Sequence, residues 1–394
     1  MKSIVSAVRV LPQGMDYVIL DAVELALKQL GGIESIIERK KTVLVKPNIA
    51  KPEPLDYTNP AVTWAIAKLF SEYGCRVLLG EDPAIPTSEK AAYSHYGMEN
   101  IAKMAGAELV SLRHSEHVIK RVPEGGYFTE IPISKYAAEA DLIISAATMK
   151  SANITTVTLG MKNMKGVISP EWKRKFHTEG LNQGIVDLNS VLPPVLTVLD
   201  CTFGRDMTKK VSYPVGLILA GLDTVATDAV CSSIMGFDAS EVEHLSLANK
   251  RGLGNIDLSK IEVVGLELEE FIKELNCIFT FSKPQNPFEI AKASNGKITI
   301  VQGNPCSICL NELGNSLAEL KDRLNEFEKV TIFVGPNVDP EEYKDAGTKI
   351  LIGSCLKKYE DDYLYVGGCP PTEDAWIAEN CGSLKQVMEG LLDK

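Results

Sequence analysis

No apolar run in the chain approaches the roughly 18 residues that a membrane span requires. The opening stretch, residues 1–10 continuing into Pro12 and Asp16, lacks the apolar core of a secretory signal. A cytoplasmic location is therefore the default expectation. Positive charge is also short: the net charge is −11. That excludes broad attraction to nucleic acid or to an anionic membrane, and leaves room for a local basic pocket. Histidine is scarce, at five residues. His95, His114, His117 and His244 have no ligand-like spacing, so a histidine-built metal site is not expected. There is no internal repeat at a fixed period and no low-complexity tract.

The chain does have enough length, 394 residues, for two or three domains with ordinary cores. Its 45% hydrophobic and 24% charged content are those of a globular protein. Nine cysteines are unevenly placed, and five of them follow residue 305. In a reducing compartment such clustering favours metal over disulfides. Cys75, Cys201, Cys231 and Cys277 stand alone and read as buried small hydrophobes.

Short apolar runs alternate with helical periodicity. Strands are expected at 42–45, 76–79, 109–113, 142–145, 196–199, 215–220 and 261–264. Helices are expected at 18–30, 62–73, 89–105, 185–191, 224–235 and 242–251. This rhythm predicts βαβ units, hence an α/β fold with a large, mostly parallel, doubly wound sheet over residues 1–266. Residues 267–296 change character and read as a junction. Strand and helix alternate again over 297–394, at 298–301, 310–327, 330–334, 350–352, 364–366 and from 372 onward, which predicts a smaller flavodoxin-like α/β domain.

Polar residues recur just after the strands of the first region. Lys46 and Asn48 follow one, Glu81 and Asp82 the next, and Lys150, Asp200 and Asp223 others. In a doubly wound sheet such ends meet at one crevice. Lysines on short turns with free backbone N–H groups suit a phosphate or carboxylate. Lys162, Asn163, Lys165 and Gly166 add cations and a permissive backbone. The expectation is an anionic small molecule clamped by Lys46, Lys150, Lys162 and Lys165, with Asp82, Asp228 or His177 moving protons. Against it stands the ordinary role of such residues: lysines in turns are commonly solvated, and Asp228 would offset a helix dipole.

Four segments in order, Lys46-Pro47-Asn48, Gly80-Glu81-Asp82, 157–166 (VTLGMKNMKG) and 221–229 (GLDTVATDA), resemble the bacterial and archaeal proteins grouped as domain of unknown function 362. The likeness covers roughly residues 1–265. Its motif positions here are Lys46, Asn48, Asp82, Lys150, Lys162, Asn163, Gly166 and Asp228. Members often carry ferredoxin-type iron–sulphur modules, whereas this chain lacks the compact C-x₂-C-x₂-C-x₃-C-P run. The family brings no settled reaction. A more distant likeness is to lactate racemase-type proteins, whose cofactor is a nickel nucleotide.

In the last region Cys306 and Cys309 lie in Pro-Cys-Ser-Ile-Cys, Cys355 in Gly-Ser-Cys and Cys369 in Gly-Gly-Cys-Pro-Pro, each just after an expected strand. Parallel strands would bring these four thiols to one edge. Four thiolates suit a [4Fe–4S] cluster, and equally a closed zinc site. Gly-Gly-Cys-Pro-Pro resembles the last cluster-ligand motif of hydrogenase and respiratory complex I small subunits, which implies a cluster at the carboxyl edge of a flavodoxin-like sheet. Cys381 is a fifth thiol, able to replace Cys369 or to stay free. The expectation is an iron–sulphur redox enzyme of anaerobic type acting on an anion. The alternatives are an electron-transfer or redox-sensing protein that works through a redox partner, or a zinc-stabilised binding protein. A homo-oligomer is compatible with the sequence.

Overall fold

The computed structural model describes every residue except 1, 12–15, 39–41, 51–54, 86, 370–382 and 394. The helix expected from residue 372 and the thiol of Cys381 lie outside the described residues. The chain divides into two compact units: Met1–Phe176 with Gly180–Ser282, and His177–Glu179 with Lys283–Lys394. The junction falls inside the 267–296 stretch, which is not bare linker. The Leu268–Asn276 helix sends Phe271 and Leu275 into the first unit's core, and Phe281 follows them. The Pro287–Lys292 helix packs with the second unit's elements.

The first unit is a three-layer α/β structure. Its strands are β1 (Ser3–Arg9), β2 (Thr42–Pro47), β3 (Arg76–Glu81), β4 (Glu108–Ser111), the separate hairpin β5 (His117–Arg121) and β6 (Glu130–Ser134), then β7 (Leu142–Ala152), β8 (Thr156–Thr158), β9 (Leu196–Asp206), β10 (Val211–Gly221) and β11 (Ile261–Val264). The main sheet runs β11-β1-β10-β9-β7-β2-β3-β4, with β8 hung on β7. From β9 to β4 all neighbours are parallel. Both faces carry helices, so the central strands are buried on both sides and read as continuous apolar runs such as Val43–Leu44–Val45.

Local signals set the crossover helices. Asn59 caps the Pro60–Glu72 helix by accepting from Ala61 N, with Pro60 in the first turn. Ser88 caps Glu89–Tyr96, and Gly97 ends it in the left-handed region at φ 79°.

Three expectations change here. β9 and β10 form a long antiparallel pair, in which Gly221 faces Thr197 at the start of β9. Asp223 therefore stands at the amino edge of the parallel strands, not in the crevice with Lys46 and Asp82. It caps the Thr224–Ile234 helix through Ala226 N and accepts from Ser3 Oγ at 2.7 Å. Lys150 and Asp200 lie within long strands, not on turns after them, because β7 and β9 each run for 11 residues. Cys277 is exposed, unlike Cys75, Cys201 and Cys231.

In the second unit β12 (Ile298–Gln302), β13 (Val330–Val334), β14 (Thr348–Ile352) and β15 (Leu364–Val366) form a fully parallel sheet in sequential order. Among the described residues the order runs in sequence without reversing, unlike the flavodoxin order. One face packs on the Ser307–Glu319 and Leu384–Leu392 helices through Leu313, Leu317, Leu384 and Met388. The other holds a smaller cluster around Phe333, Leu351 and Leu356.

Candidate functional site

The carboxyl ends of β2, β3 and β7 carry a continuous polar network inside the first unit. Lys46, at the end of β2, is fully buried. Its Nζ donates to Glu81 Oε2 at 2.5 Å, to Asn163 Oδ1 at 2.8 Å and to the Pro47 carbonyl at 3.1 Å. Burial disfavours both charges, pulling Lys46 down and Glu81 up from their ordinary pKa values. Glu81 also accepts from Asp82 N.

Asp82 is held by Lys173 at 2.7 Å and by the Arg113 guanidinium. Lys173 donates as well to the carbonyls of Asp82 and Pro83. Burial lowers Lys173 to about 8, against the opposing pull of Asp82. On the other flank Lys150 Nζ donates to Asp56 Oδ1 and to Asn48 Oδ1, both at 2.9 Å.

Asn163 joins the two flanks. Its Oδ1 accepts from Lys46 and, at 3.2 Å, from Asn48 Nδ2, while its Nδ2 donates to the Lys46 carbonyl and to Ser145 Oγ. Lys46, Asn48, Asp82, Lys150 and Asn163 thus belong to one connected network.

Gly166 belongs to the same place for a steric reason. A Cβ there would stand 1.7 Å from Glu81 Oε1 and 2.4 Å from Lys46 Cε. Any side chain would displace the ion pair.

Lys162 differs from Lys46, Lys150 and Lys173 in its partner. Lys162 sits on the short Gly160–Asn163 helix and donates to Thr155 Oγ1 at 2.8 Å. Surrounding burial, helped by the Lys150 charge, lowers it to about 7. Part of the side chain still reaches solvent, which tempers that effect. Lys165 is pushed well below its ordinary value by burial and then by Lys162 and Lys173. Lys46, Lys150 and Lys173 therefore neutralise carboxylates of this chain, whereas Lys162 is held by a neutral hydroxyl.

The backbone around these lysines is strained. Thr156 has φ 63° at the centre of a γ-turn, with Val157 N donating to the Thr155 carbonyl at 2.7 Å. Leu55, beside the Asp56 that holds Lys150, has φ 64°. Such conformations are costly for β-branched and bulky residues and persist where surrounding structure enforces them.

Asp228 supports the site from behind. Fully buried, it accepts from Gly160 N and Met161 N, both at 2.8 Å, and so anchors the turn that carries Lys162 and Asn163. Burial raises its pKa to about 7 despite those two donors. This geometry makes it a positioning residue. His177 does not join the network: residues 177–179 group with the second unit, where its Nδ1 lies 2.6 Å from Ser307 Oγ.

Asp56, Arg113, Thr155 and Lys173 take part without a sequence signal strong enough to single them out. Lys173 lies in the basic, aromatic stretch 170–180, and nothing in its spacing marks it as Asp82's partner. A depression of about 310 Å³ elsewhere in this unit has Pro123, Gly125 and Arg251 in its wall. Its guanidinium is already paired with Asp187, so it offers no spare charge.

In the second unit, Cys306 is the N-cap residue of the Ser307–Glu319 helix. A hydrogen bond from Cys309 and backbone N–H groups of that first turn lower its thiol to about 6. Cys309 is raised in return, first by that hydrogen bond and then by burial. The Cys355 and Cys369 thiols are near enough to act electrostatically on Cys309. A Cβ on Gly353 (φ 95°) would stand 3.1 Å from Cys309 Sγ and 3.5 Å from Cys355 Sγ, so both sulphurs crowd one bare stretch of backbone. Among the described residues, no three His, Cys, Asp or Glu side chains form a group that could hold a metal ion. None of the described helices is long and apolar enough to cross a membrane.

Residues 43–233 match the family model described as domain of unknown function (DUF362). The matched segment contains every network residue named above. The thylakoid-associated protein sll1697 of Synechocystis is 25% identical over 247 residues, covering 60% of this chain and 75% of that protein. Among solved structures, the lactate racemase apoprotein of Thermoanaerobacterium thermosaccharolyticum aligns with a TM-score of 0.42 at 14% identity, over 94% of this chain and 88% of that one.

Proposed function

We propose that the larger unit binds an anionic small molecule, phosphorylated or carboxylated, at Lys162. The observation that carries this is the contrast among the lysines. Lys162 is lodged at the carboxyl ends of parallel strands, where ligand sites of open α/β sheets collect, and it is held there by a hydroxyl on strained backbone. An ammonium so desolvated gains most from an anionic partner. Titration calorimetry with inorganic phosphate and with acetate tests it. Binding that disappears in Lys162→Met supports the reading, and wild-type protein that binds neither anion refutes it.

We further propose that Cys306, Cys309, Cys355 and Cys369 hold a [4Fe–4S] cluster, so that the whole chain is an iron–sulphur redox enzyme. The donor set fits in chemistry: a thiolate at a helix N-terminus, a second thiol beside it, and the Cys355 sulphur, which shares with that second thiol the backbone left open by Gly353. A closed zinc site needs four sulphurs at about 2.3 Å from one ion, hence packed tightly together. A cubane places its ligands on separate irons and accepts a wider set. The cluster would supply one-electron chemistry. Protein purified without oxygen should be brown and contain iron and acid-labile sulphide. Colourless protein holding zinc would replace this reading with a zinc-stabilised one.

A further inference from the structure

Four buried polar side-chain atoms without a hydrogen-bond partner fall on just two helices. They are Asn182 Oδ1 and Asn189 Oδ1 on Leu181–Val191, and both ring nitrogens of His244 on Glu243–Lys250. His244 is fully buried, in the same core as Val242, Leu245 and Ala248. Buried polar groups are ordinarily paired, so a ring with both nitrogens bare calls for a missing partner.

These atoms line up with the Lys162 turn. The two helices pack on each other, and both the Lys162 turn and the His244 helix pack against Leu181–Val191 and Thr224–Ile234. Asn189 Nδ2 donates to the Met161 carbonyl, next to Lys162. Asn182 Nδ2 donates to Glu243 Oε2 at 2.6 Å, next to His244. Asn182 and Asn189 are two turns apart on one helix face, about 10 Å along the axis. At one end is the turn that carries Lys162. At the other is an imidazole that burial, and then the Lys162 charge, push down to about 3. It is neutral at every physiological pH.

We propose that His244 is the inner contact of the ligand bound by Lys162, hydrogen-bonding a hydroxyl-bearing part of that anion. The inference rests on the anion reading above and adds the class of ligand. A neutral imidazole offers one donor and one acceptor, and the two asparagine oxygens offer acceptors alone. Such a lining has more acceptors than donors, so it selects groups that donate. A hydroxylated anion, such as a hydroxy acid or a sugar phosphate, carries the charge for Lys162 and the hydroxyls for the inner end. A plain anion would leave the inner atoms bare.

The test compares probes matched in charge: inorganic phosphate against glycerol 3-phosphate, and acetate against glycerate, by calorimetry at fixed pH. Wild-type protein should bind the hydroxylated member of at least one pair about tenfold tighter or more. His244→Phe should bring the two affinities together, and Lys162→Met should bind neither. A preference that survives in His244→Phe overturns the role of His244. So does the lack of any preference in wild-type protein that still binds phosphate or acetate, and in both cases the anion reading stands. Wild-type protein that binds neither simple anion brings down both. Should His244→Phe fail to fold, histidine-selective ¹⁵N spectra of the wild type decide. The His244 ring signals must move with glycerol 3-phosphate or glycerate and not with the plain anion, and unmoved signals mean that the ring faces internal water instead.

Discussion

Gly166 leaves no room for a side chain, because Glu81 and Lys46 close over it. Gly166→Ala must part that ion pair or shift the turn. A loss of about 1–3 kcal/mol is expected by chemical denaturation. Lys46→Met should cost more, about 3–5 kcal/mol, since it strands a buried carboxylate. Adding Glu81→Leu to Lys46→Met should recover much of that loss, and no recovery would show that the pair does more than neutralise itself. Lys162 governs a pH effect. Its folded pKa, about 7, lies below the ordinary lysine value, so the ammonium is present below that pH and lost above it. Sulfate, which does not titrate in this range, should bind progressively more weakly above pH 7, by up to tenfold per unit. Stability moves oppositely: the unfolded chain holds the Lys162 proton up to about 10.5, so this residue's contribution to stability rises between about pH 7 and 10.5.

At the scale of elements, the Gly160–Asn163 turn is too short to hold itself, and Asp228 reaches from another helix to satisfy its first two N–H groups. The Asp228 pKa is raised from 3.8 to about 7, so its contribution to stability is full below about pH 4 and is lost as pH climbs towards 7. Asp228→Asn should flatten that part of the stability–pH profile and weaken anion binding through the misplaced turn. An unchanged profile would show that the carboxylate is charged throughout. The γ-turn at Thr156 makes a separate case. Thr156→Gly relieves a φ of 63° and should stabilise the fold by about 1 kcal/mol, read from thermal melts. It should also weaken anion binding, because a loosened turn would no longer hold the Thr155 hydroxyl between the Val157 carbonyl and Lys162.

For the whole molecule, the separate cores of the two units predict separable responses. Serine at Cys306 or Cys309 should cost iron and sulphide, while serine at the exposed Cys277 should not. Anaerobic chelation should lower the calorimetric transition of the second unit and leave that of the first, whose core contains none of the four cysteines. A single transition moving as a whole would contradict independent units.

The sequence by itself determined the α/β alternation, the parallel strands and the positions of Lys46, Asn48, Asp82, Lys150, Asn163 and Gly166. Lys46, Asn48 and Asp82 follow from local properties, apolar runs bounded by turns with polar residues where a strand stops, while Lys150, Asn163 and Gly166 stand out only through their motifs. Tertiary structure alone decided what each residue touches. That Asp223 is a cap at the far edge depends on β10 running antiparallel to β9, which no local pattern encodes. That Asp228 anchors a turn 67 and 68 positions away, and that Asp56, Thr155 and Lys173 are the lysine network's partners, depends on contacts across the chain. The same holds for His244. Its isolation in sequence gave no reason to notice it, and its meaning lies in burial without a partner, a property of the packed core.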